Sequence, residues 1–172
     1  MPFTSVTTAS GCFARSCAAT ICELIGGRII AMSPIGWSHA NIVLRLSELL
    51  WQGGTYQVSV QNPLRLDRYN EPRPDVALLR RDHDPTGPML AKHAVLVVEV
   101  ADSSLSFHVR VKLPRYAQAG IPEAWIVDVE HRRIEVFRNP DNGRYLDRRI
   151  LAPGDRIDEP GGAAIEVVDV FP

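Results

Sequence analysis

The sequence predicts one α+β domain of about eight strands and two helices. Its 172 residues match the size of a single domain. Hydrophobic residues make up 45% of the chain and charged residues 23%, as in soluble globular proteins. No window reaches the roughly eighteen apolar residues that a membrane-spanning helix needs. The 19 basic and 20 acidic side chains leave a net charge of −1, which excludes a strong overall attraction to nucleic acid or membranes.

Residues 1–21 are expected to form a poorly ordered N-terminal segment, and residues 22–172 a single domain. Its residues are mostly small and polar, and the segment has neither the basic start nor the apolar core of a secretory signal. Cys12, Cys17 and Cys22 have neither the spacing nor the further ligands of a zinc site. Because an odd number of cysteines gives no complete disulfide framework, a reducing, cytoplasmic location is expected.

The first predicted elements are a hairpin and a helix. ELIGGRIIAM (23–32) has the order strand, Gly-Gly turn, strand, which is typical of a hairpin. SPIGWSHANIVLRLSELLWQ (33–52) predicts a turn and then a helix with Ser38 as its N-cap. Gly53 and Gly54 are expected to end this helix. Apolar residues recur along it at helical spacing: Ile42, Leu46, Leu49 and Leu50.

Short strands dominate the middle of the chain. The strand patterns cover residues 55–61, 63–67, 74–80 and 93–101. The last pattern is nearly continuous Val and Leu, which is typical of a central strand buried on both faces. A second helix over roughly 106–119 is expected to end at Gly120. Pro114 indicates that this helix is bent or that it begins near Leu113.

The last third of the chain predicts strands alone. Residues 123–130 and 133–138 have the pattern of a second hairpin, and residues 144–151 and 164–170 have strand patterns as well.

Two carboxylates and a lysine form the strongest functional signal. Asp75 opens a strand straight after a turn, and Glu99 interrupts the most hydrophobic strand of the chain. An ionised carboxylate in a buried strand is costly unless it is paired or bound to a metal. On adjacent strands, Asp75 and Glu99 could close on one Mg²⁺ or Mn²⁺, cations that suit oxygen ligands. Lys112 on the next helix could then steady the transition state of phosphodiester cleavage.

Each of these residues also has a purely structural interpretation. Asp75 could bind backbone amides at its turn, Glu99 could face solvent or pair with an arginine, and Lys112 could be a solvated helix lysine. The coincidence of two acids and a lysine in this order favours the functional interpretation.

These residues resemble a known family. A PD pair in one strand, an acid in the next and a nearby lysine are similar to the PD-(D/E)XK nuclease superfamily. More specifically, the chain resembles the Uma family of restriction-endonuclease-like proteins over about residues 22–157. The matching stretches are CELIGGRIIAMSP (22–34) with His39 after it, EPRPDVALL (71–79), LVVEVADSSL (96–105), VKLPRYAQAGIPEAWIVD (111–128) and GRYLDRRILAPGDRI (143–157).

The resemblance implies a restriction-endonuclease-like core, in which a central mixed β-sheet is flanked by helices. It implies that Asp75 and Glu99 are ligands of Mg²⁺ or Mn²⁺ and that Lys112 is the catalytic lysine. His39 matches a position usually occupied by histidine in relatives, which implies contact with the metal's water or the substrate. The implied activity is a divalent-metal-dependent endonuclease that hydrolyses phosphodiester bonds, with DNA as the expected partner. A homodimer is expected as well, because the strands near 133–151 offer an edge.

Several positions depart from the family pattern. Relatives usually have Asp four residues before the helical lysine, where this chain has His108. His108 is therefore an accessory candidate, as is Asp102, whose alternative role is the cap of the turn ADSS. Gly26, Arg28 and Ala31 stand where relatives often carry acids.

These departures leave a second function open. It is a catalytically decayed member of the family that acts as a non-enzymatic nucleic-acid-binding or protein-binding domain. A third possibility is an accessory protein that acts on RNA.

Overall fold

The computed structural model describes residues 21–32, 35–82, 84, 86–102 and 104–171. Of the segment expected to be poorly ordered, residues 1–20 lie outside the described residues. The helical elements are α1 (Trp37–Gln52), a 3₁₀ turn (Ala91–His93), α2 (Leu105–Phe107), a π-helical segment (His108–Lys112), α3 (Leu113–Gln118) and α4 (Val167–Val170). The strands are β1 (Cys22–Ile25), β2 (Arg28–Ala31), β3 (Gln57–Val60), β4 (Val76–Leu79), β5 (Ala94–Ala101), β6 (Glu123–Asp128), β7 (Arg133–Asp141), β8 (Arg144–Leu151), β9 (Arg156–Asp158) and β10 (Ala164–Glu166).

A six-stranded mixed sheet forms the centre of the structure, in the order β3-β4-β5-β6-β7-β8. Its neighbouring strands are antiparallel except β5 and β6, which are parallel. Parallel neighbours need a crossover connection, and here the chain crosses through α2, the π segment and α3. Every residue of β5 is buried, which confirms the predicted central strand.

Two apolar clusters cover the two faces of the sheet. Val98 and Val100 of β5 belong to the cluster that α1 joins, whereas Val97 and Ala101 belong to the cluster that α3 joins. Side chains alternate between the two faces along a strand. Glu99 therefore projects from the face that α3 covers. None of the described helices is long and apolar enough to cross a membrane.

The predicted first hairpin and first helix are confirmed. β1 and β2 pair in antiparallel fashion around Gly26 and Gly27, whose φ angles are +58° and +76°. Residues that carry a side chain rarely adopt this left-handed region at two successive positions. The Gly-Gly pair therefore allows the tight turn. The hairpin is attached to the loop before Asp75, since Leu24 pairs with Glu71.

Two local predictions are wrong. Helix α1 follows Gly36, which is extended and provides no side-chain cap, while Ser38 lies inside the first turn. Residues 63–67 form no strand beyond a single bridge between Arg65 and Leu90. The backbone of this segment bonds instead to its own loop, with the N–H of Leu64 donating to the carbonyl of Pro72.

The C-terminal prediction is half right. The strand predicted over 164–170 ends at Glu166, and the chain continues as the short helix α4. Val167 and Val170 are both buried, and this three-residue spacing suits one side of a helix rather than alternation. The partner of β10 is β9, which the sequence patterns missed.

Candidate active site

Asp75 directly precedes β4 and lies opposite Glu99 of the neighbouring strand β5. In the antiparallel pair β4–β5, Val76 lies opposite Val98, so the same register continued by one residue sets Asp75 against Glu99. Opposite residues of an antiparallel pair project from the same face. Both carboxylates therefore lie on the α3 side of the sheet, with residue exposures of 3% for Asp75 and 1% for Glu99.

Three hydrogen-bonding groups hold Asp75. Its Oδ1 accepts from Gln61 Nε2 at 3.2 Å and lies 2.9 Å from His39 Nε2. Its Oδ2 accepts from the backbone N–H of Val100 at 2.8 Å. Val100 directly follows Glu99 in β5. Its N–H therefore holds the carboxylate of Asp75 beside that of Glu99. His39 reaches this point from the first turn of α1, on which it lies.

Glu99 is the most densely bonded side chain of the site. Lys112 Nζ lies 3.1 Å from its Oε1 and 3.0 Å from its Oε2. The hydroxyl of Tyr116 donates to Oε1 at 2.5 Å. His108 Nδ1 lies 3.1 Å from Oε2. These three residues share one side of the crossover helix, which explains why one strand carboxylate meets all of them.

Glu23 completes the cluster and was not among the residues that the sequence singled out. Its Oε1 lies 2.6 Å from Lys112 Nζ and accepts from the backbone N–H of Arg73 at 2.7 Å. It is 4% exposed and interrupts the apolar strand β1. A charged residue between apolar neighbours was the same signal that pointed to Glu99, so the sequence did contain a clue.

The crossover helix contains a widened turn next to Pro114. Proline lacks an N–H and its ring collides with the carbonyl four residues earlier in a regular α-helix. Here the N–H of Leu113 bonds to the carbonyl of His108, five residues back, which is the π-helical pattern. The chain therefore stays helical from Leu105 to Gln118, and the regular α-helix after the widened turn begins at Leu113.

One cavity of about 320 Å³ brings together every residue that the sequence named as a site candidate. Glu23 lines this cavity too. The candidates that line it are His39, Asp75, Glu99, Asp102, His108 and Lys112.

The buried charges of the cluster stabilise one another. Burial by itself would raise the pKa of Glu99, but the Lys112 ammonium, the neighbouring His108 and the hydrogen bond from Tyr116 lower it to about 2. Burial would lower the pKa of Lys112, yet the charges of Glu99 and Glu23 raise it above its usual value. The carboxylate and the ammonium are thus both held in their charged forms.

Burial and nearby negative charges also act in opposite directions on the pKa of His39. Burial would lower the pKa of its imidazole, but the hydrogen bond to Asp75 and the charge of Asp75 raise it. The charges of Glu99 and Asp102 add to the increase. Its side chain keeps 16% of its surface exposed, so it can meet a ligand that enters the cavity.

The donor set of the cavity fits a hard divalent cation. The carboxyl groups of Asp75, Glu99 and Glu23 line the cavity together with a single lysine, and within the described part of the chain the buried Nδ1 of His108 has no hydrogen-bond partner. Among the described residues, however, no three His, Cys, Asp or Glu side chains form a ready metal cage. A cation here would keep water ligands beside one or two carboxylates, which is the usual manner of Mg²⁺.

Comparison with known proteins identifies a family and similar folds. A family model named Uma2, described as "Putative restriction endonuclease", matches residues 13–167. The fold is similar to the crystal structure of "a putative nuclease belonging to DUF820" from Anabaena variabilis ATCC 29413, with a TM-score of 0.68 and 14% identity over 87% of this chain and 89% of that chain. The type IIG restriction endonuclease BpuSI matches with a TM-score of 0.45 and 17% identity, over 77% of this chain and 14% of that chain. No curated protein matches the sequence.

These findings confirm the resemblance and the predicted fold class, a mixed sheet flanked by helices as in restriction endonucleases. The family match extends over most of the chain, including both carboxylate strands and the crossover helix. The chain belongs to the Uma2 family of restriction-endonuclease-like nucleases.

Proposed function

We propose that the protein is a divalent-metal-dependent endonuclease that hydrolyses phosphodiester bonds in DNA. One observation carries the proposal: Asp75 directly before β4, Glu99 on β5 and Lys112 on the crossover helix line one cavity. Two carboxylates beside a lysine match the chemistry of phosphodiester cleavage, in which negative charge builds on the phosphate.

Asp75 and Glu99 are the proposed ligands of the cation, which is Mg²⁺ or Mn²⁺. Such a cation supplies positive charge that offsets the charge developing on the phosphodiester. Asp75 is pre-oriented by the Val100 N–H and by Gln61, so its carboxylate does not need to be ordered when a ligand arrives.

Lys112 is the proposed catalytic lysine. Its ammonium lies between Glu23 and Glu99, and these two carboxylates hold it at the wall of the cavity. From there it can donate a hydrogen bond to a phosphate oxygen in place of one of its carboxylate contacts. Glu23 is then a positioning residue, because it acts by holding the lysine.

His39 and Asp102 are proposed to act at the entrance. The imidazole of His39 bonds to Asp75 and remains partly exposed, so it can orient an attacking water or a phosphate oxygen. Asp102 lines the same cavity, and its charge helps to raise the pKa of His39.

The proposed partners are DNA and a second copy of the chain, in the cytoplasm. Cleavage of both strands of a duplex suits a two-fold pair of active sites. Support for a homodimer comes from β8, an eight-residue edge strand of the sheet on which Leu146 and Ile150 are exposed.

The proposal is tested with Asp75→Asn and Glu99→Gln. Calorimetric titration with Mn²⁺ and nicking of supercoiled plasmid are measured on the same preparations. Both variants should lose Mn²⁺ binding, and nicking should fall about a hundredfold or more. Glu135→Gln is a matched control, since Glu135 is also a buried carboxylate but pairs with Arg148 away from the cavity. It should bind Mn²⁺ and nick DNA like the wild type.

A second candidate function follows from the contacts of Lys112. Because its ammonium already pairs with both Glu23 and Glu99, the cluster also suits a decayed site that binds nucleic acid without cutting it. A wild type that binds DNA, does not bind Mn²⁺ and does not cleave plasmid would support this function. Cleavage of RNA with duplex DNA left intact at the same salt concentration would favour an RNA substrate instead.

A further inference from the structure

His108 lines the cavity, and one nitrogen of its ring is buried without a hydrogen bond. Its side chain is only 9% exposed, and among the described residues its Nδ1 has no hydrogen-bond partner. A carboxylate oxygen of Glu99, Oε2, lies 3.1 Å away, at ion-pair distance but without the geometry of a hydrogen bond. Buried polar atoms without a hydrogen bond are rare in folded proteins, and binding of an ion is one of the roles that account for them.

The other ring nitrogen of His108 is anchored. Nε2 lies 2.7 Å from the hydroxyl oxygen of Ser104, one turn earlier in the chain. When Nε2–H donates to this hydroxyl, Nδ1 carries the lone pair and turns it toward Glu99. Histidine ligands of metals are usually fixed in this way, with one nitrogen on the metal and the other donating to a neighbour.

The separation of the two facing donors also suits a metal. Two adjacent ligands of an octahedral ion with bonds of about 2.1 Å are about 3.0 Å apart. The 3.1 Å between His108 Nδ1 and Glu99 Oε2 is close to that value. Without a cation or proton between them, the lone pair and the carboxylate would repel each other at this distance.

We propose that His108 is a metal ligand together with Glu99 and that the site therefore selects Mn²⁺ or a similar transition-metal ion over Mg²⁺. Imidazole nitrogen suits transition metals, whereas Mg²⁺ is bound almost entirely by oxygen. The inference rests on the proposed metal-dependent function, and it makes His108 an exchanged ligand rather than a sign of decay.

The test compares the wild type with His108→Asp and His108→Asn by calorimetric titration with Mn²⁺ and with Mg²⁺. The wild type should bind Mn²⁺ more tightly than Mg²⁺ by about tenfold or more. Both variants should lose most of this preference, and His108→Asp should bind Mg²⁺ better than the wild type does. Circular dichroism and thermal unfolding show which of the two variants folds. One folded variant is enough for the comparison with the wild type.

Pulsed electron paramagnetic resonance of bound Mn²⁺ provides a signature that does not depend on activity. Coupling to a directly bound imidazole nitrogen should be present in the wild type and absent from both His108 variants. His39→Gln is the control for the other histidine of the cavity, and it should keep the coupling. A wild type that binds Mn²⁺ without nitrogen coupling, as expected of an imidazolium paired with Glu99, would overturn the inference.

The two proposals fail in different ways. Mn²⁺ binding with plasmid nicking but without nitrogen coupling removes the role of His108 and leaves the nuclease intact. Nitrogen-coupled Mn²⁺ without cleavage of any nucleic acid keeps the ligand and removes the nuclease. A wild type that binds neither ion overturns both.

Discussion

Glu99 is the residue on which the contacts of the site converge. It lies in the centre of the sheet and bonds to Lys112 and Tyr116, each from the crossover helix. Removing one partner of a buried ion pair leaves an unpaired charge, which commonly costs about 3–5 kcal/mol. The cluster is therefore a structural requirement of the core as well as the proposed centre of chemistry.

The hydroxyl of Tyr116 should stabilise the folded protein through Glu99. Tyr116→Phe removes a fully buried donor to a carboxylate, and hydrogen bonds to charged groups contribute about 1.5–3 kcal/mol. We expect the free energy of unfolding, measured with urea, to fall by about that amount.

Tyr145→Phe is the matched control for this change. Its hydroxyl donates to the neutral carbonyl of Ile121 at 2.9 Å, so its loss should cost only about 1 kcal/mol. Equal losses in the two variants would show that the charge of Glu99 does not strengthen the Tyr116 bond.

Glu99 should also make the stability of the protein sensitive to acid. Its pKa is lowered from 4.5 to about 2 in the folded state, so the unfolded chain takes up the proton first as the pH falls. The contribution of the ionised carboxylate is complete above pH 4.5 and is lost as the pH falls through about 2, with a total of about 3 kcal/mol.

Urea unfolding at several pH values measures this contribution. The wild type should lose stability between pH 4.5 and 2 more steeply than Glu99→Gln, which has no carboxyl group to titrate. Parallel curves for the two proteins in this interval would assign the acid sensitivity to other groups.

At the scale of elements, the crossover helix links the fold to the site. It connects the parallel strands β5 and β6, and the same helix carries His108, Lys112 and Tyr116. The widened turn beside Pro114 sets the relative directions of His108 and Lys112, since it changes how far the helix rotates between them. Geometry of this kind is often found at functional sites.

The end of this helix depends on Gly120. Its φ angle is +74°, and a Cβ atom there would meet no heavy atom of the described residues within 4 Å. Gly120→Ala should therefore destabilise the protein by about 1 kcal/mol through backbone conformation alone. Gly120→Asn should lose less, because asparagine tolerates the left-handed region better than alanine. Thermal and urea unfolding measure both, and equal losses would point to a cause other than the φ angle.

At the scale of the whole molecule, the sheet has two unequal edges. β3 has four residues, whereas β8 has eight and carries the exposed side chains of Leu146 and Ile150, at 67% and 50% exposure. A long edge strand with apolar side chains is a natural place for another strand to pair.

The expected dimer can be tested at β8. Light scattering should give twice the 19.1 kDa of one chain for the wild type, and the double change Leu146→Lys with Ile150→Lys should give the monomer mass. An unchanged circular dichroism spectrum shows that the variant is folded. A wild type that is monomeric at all accessible concentrations would exclude the dimer.

Most of the local structure could be predicted from the sequence. The Gly-Gly turn, the apolar side of α1 and the continuous apolar run of β5 are patterns within a short window, and local conformation follows from them. Asp75, Glu99 and Lys112 were recognisable because charge interrupts such patterns. The prediction of a strand over 63–67 was wrong because the backbone of this segment hydrogen-bonds to a neighbouring loop. No local sequence pattern shows such a bond.

The sequence by itself determined most of the segments that become strands and helices and that two carboxylates and a lysine stand among them. Only the tertiary structure decided that Glu23 joins them, because its contact with the backbone of Arg73 spans 50 residues of chain. It also decided that Nδ1 of His108 faces Glu99 without a hydrogen-bond partner in the described part of the chain. The propensity for helix or strand depends on a few neighbouring residues, whereas a buried ionic cluster depends on which distant elements pack together.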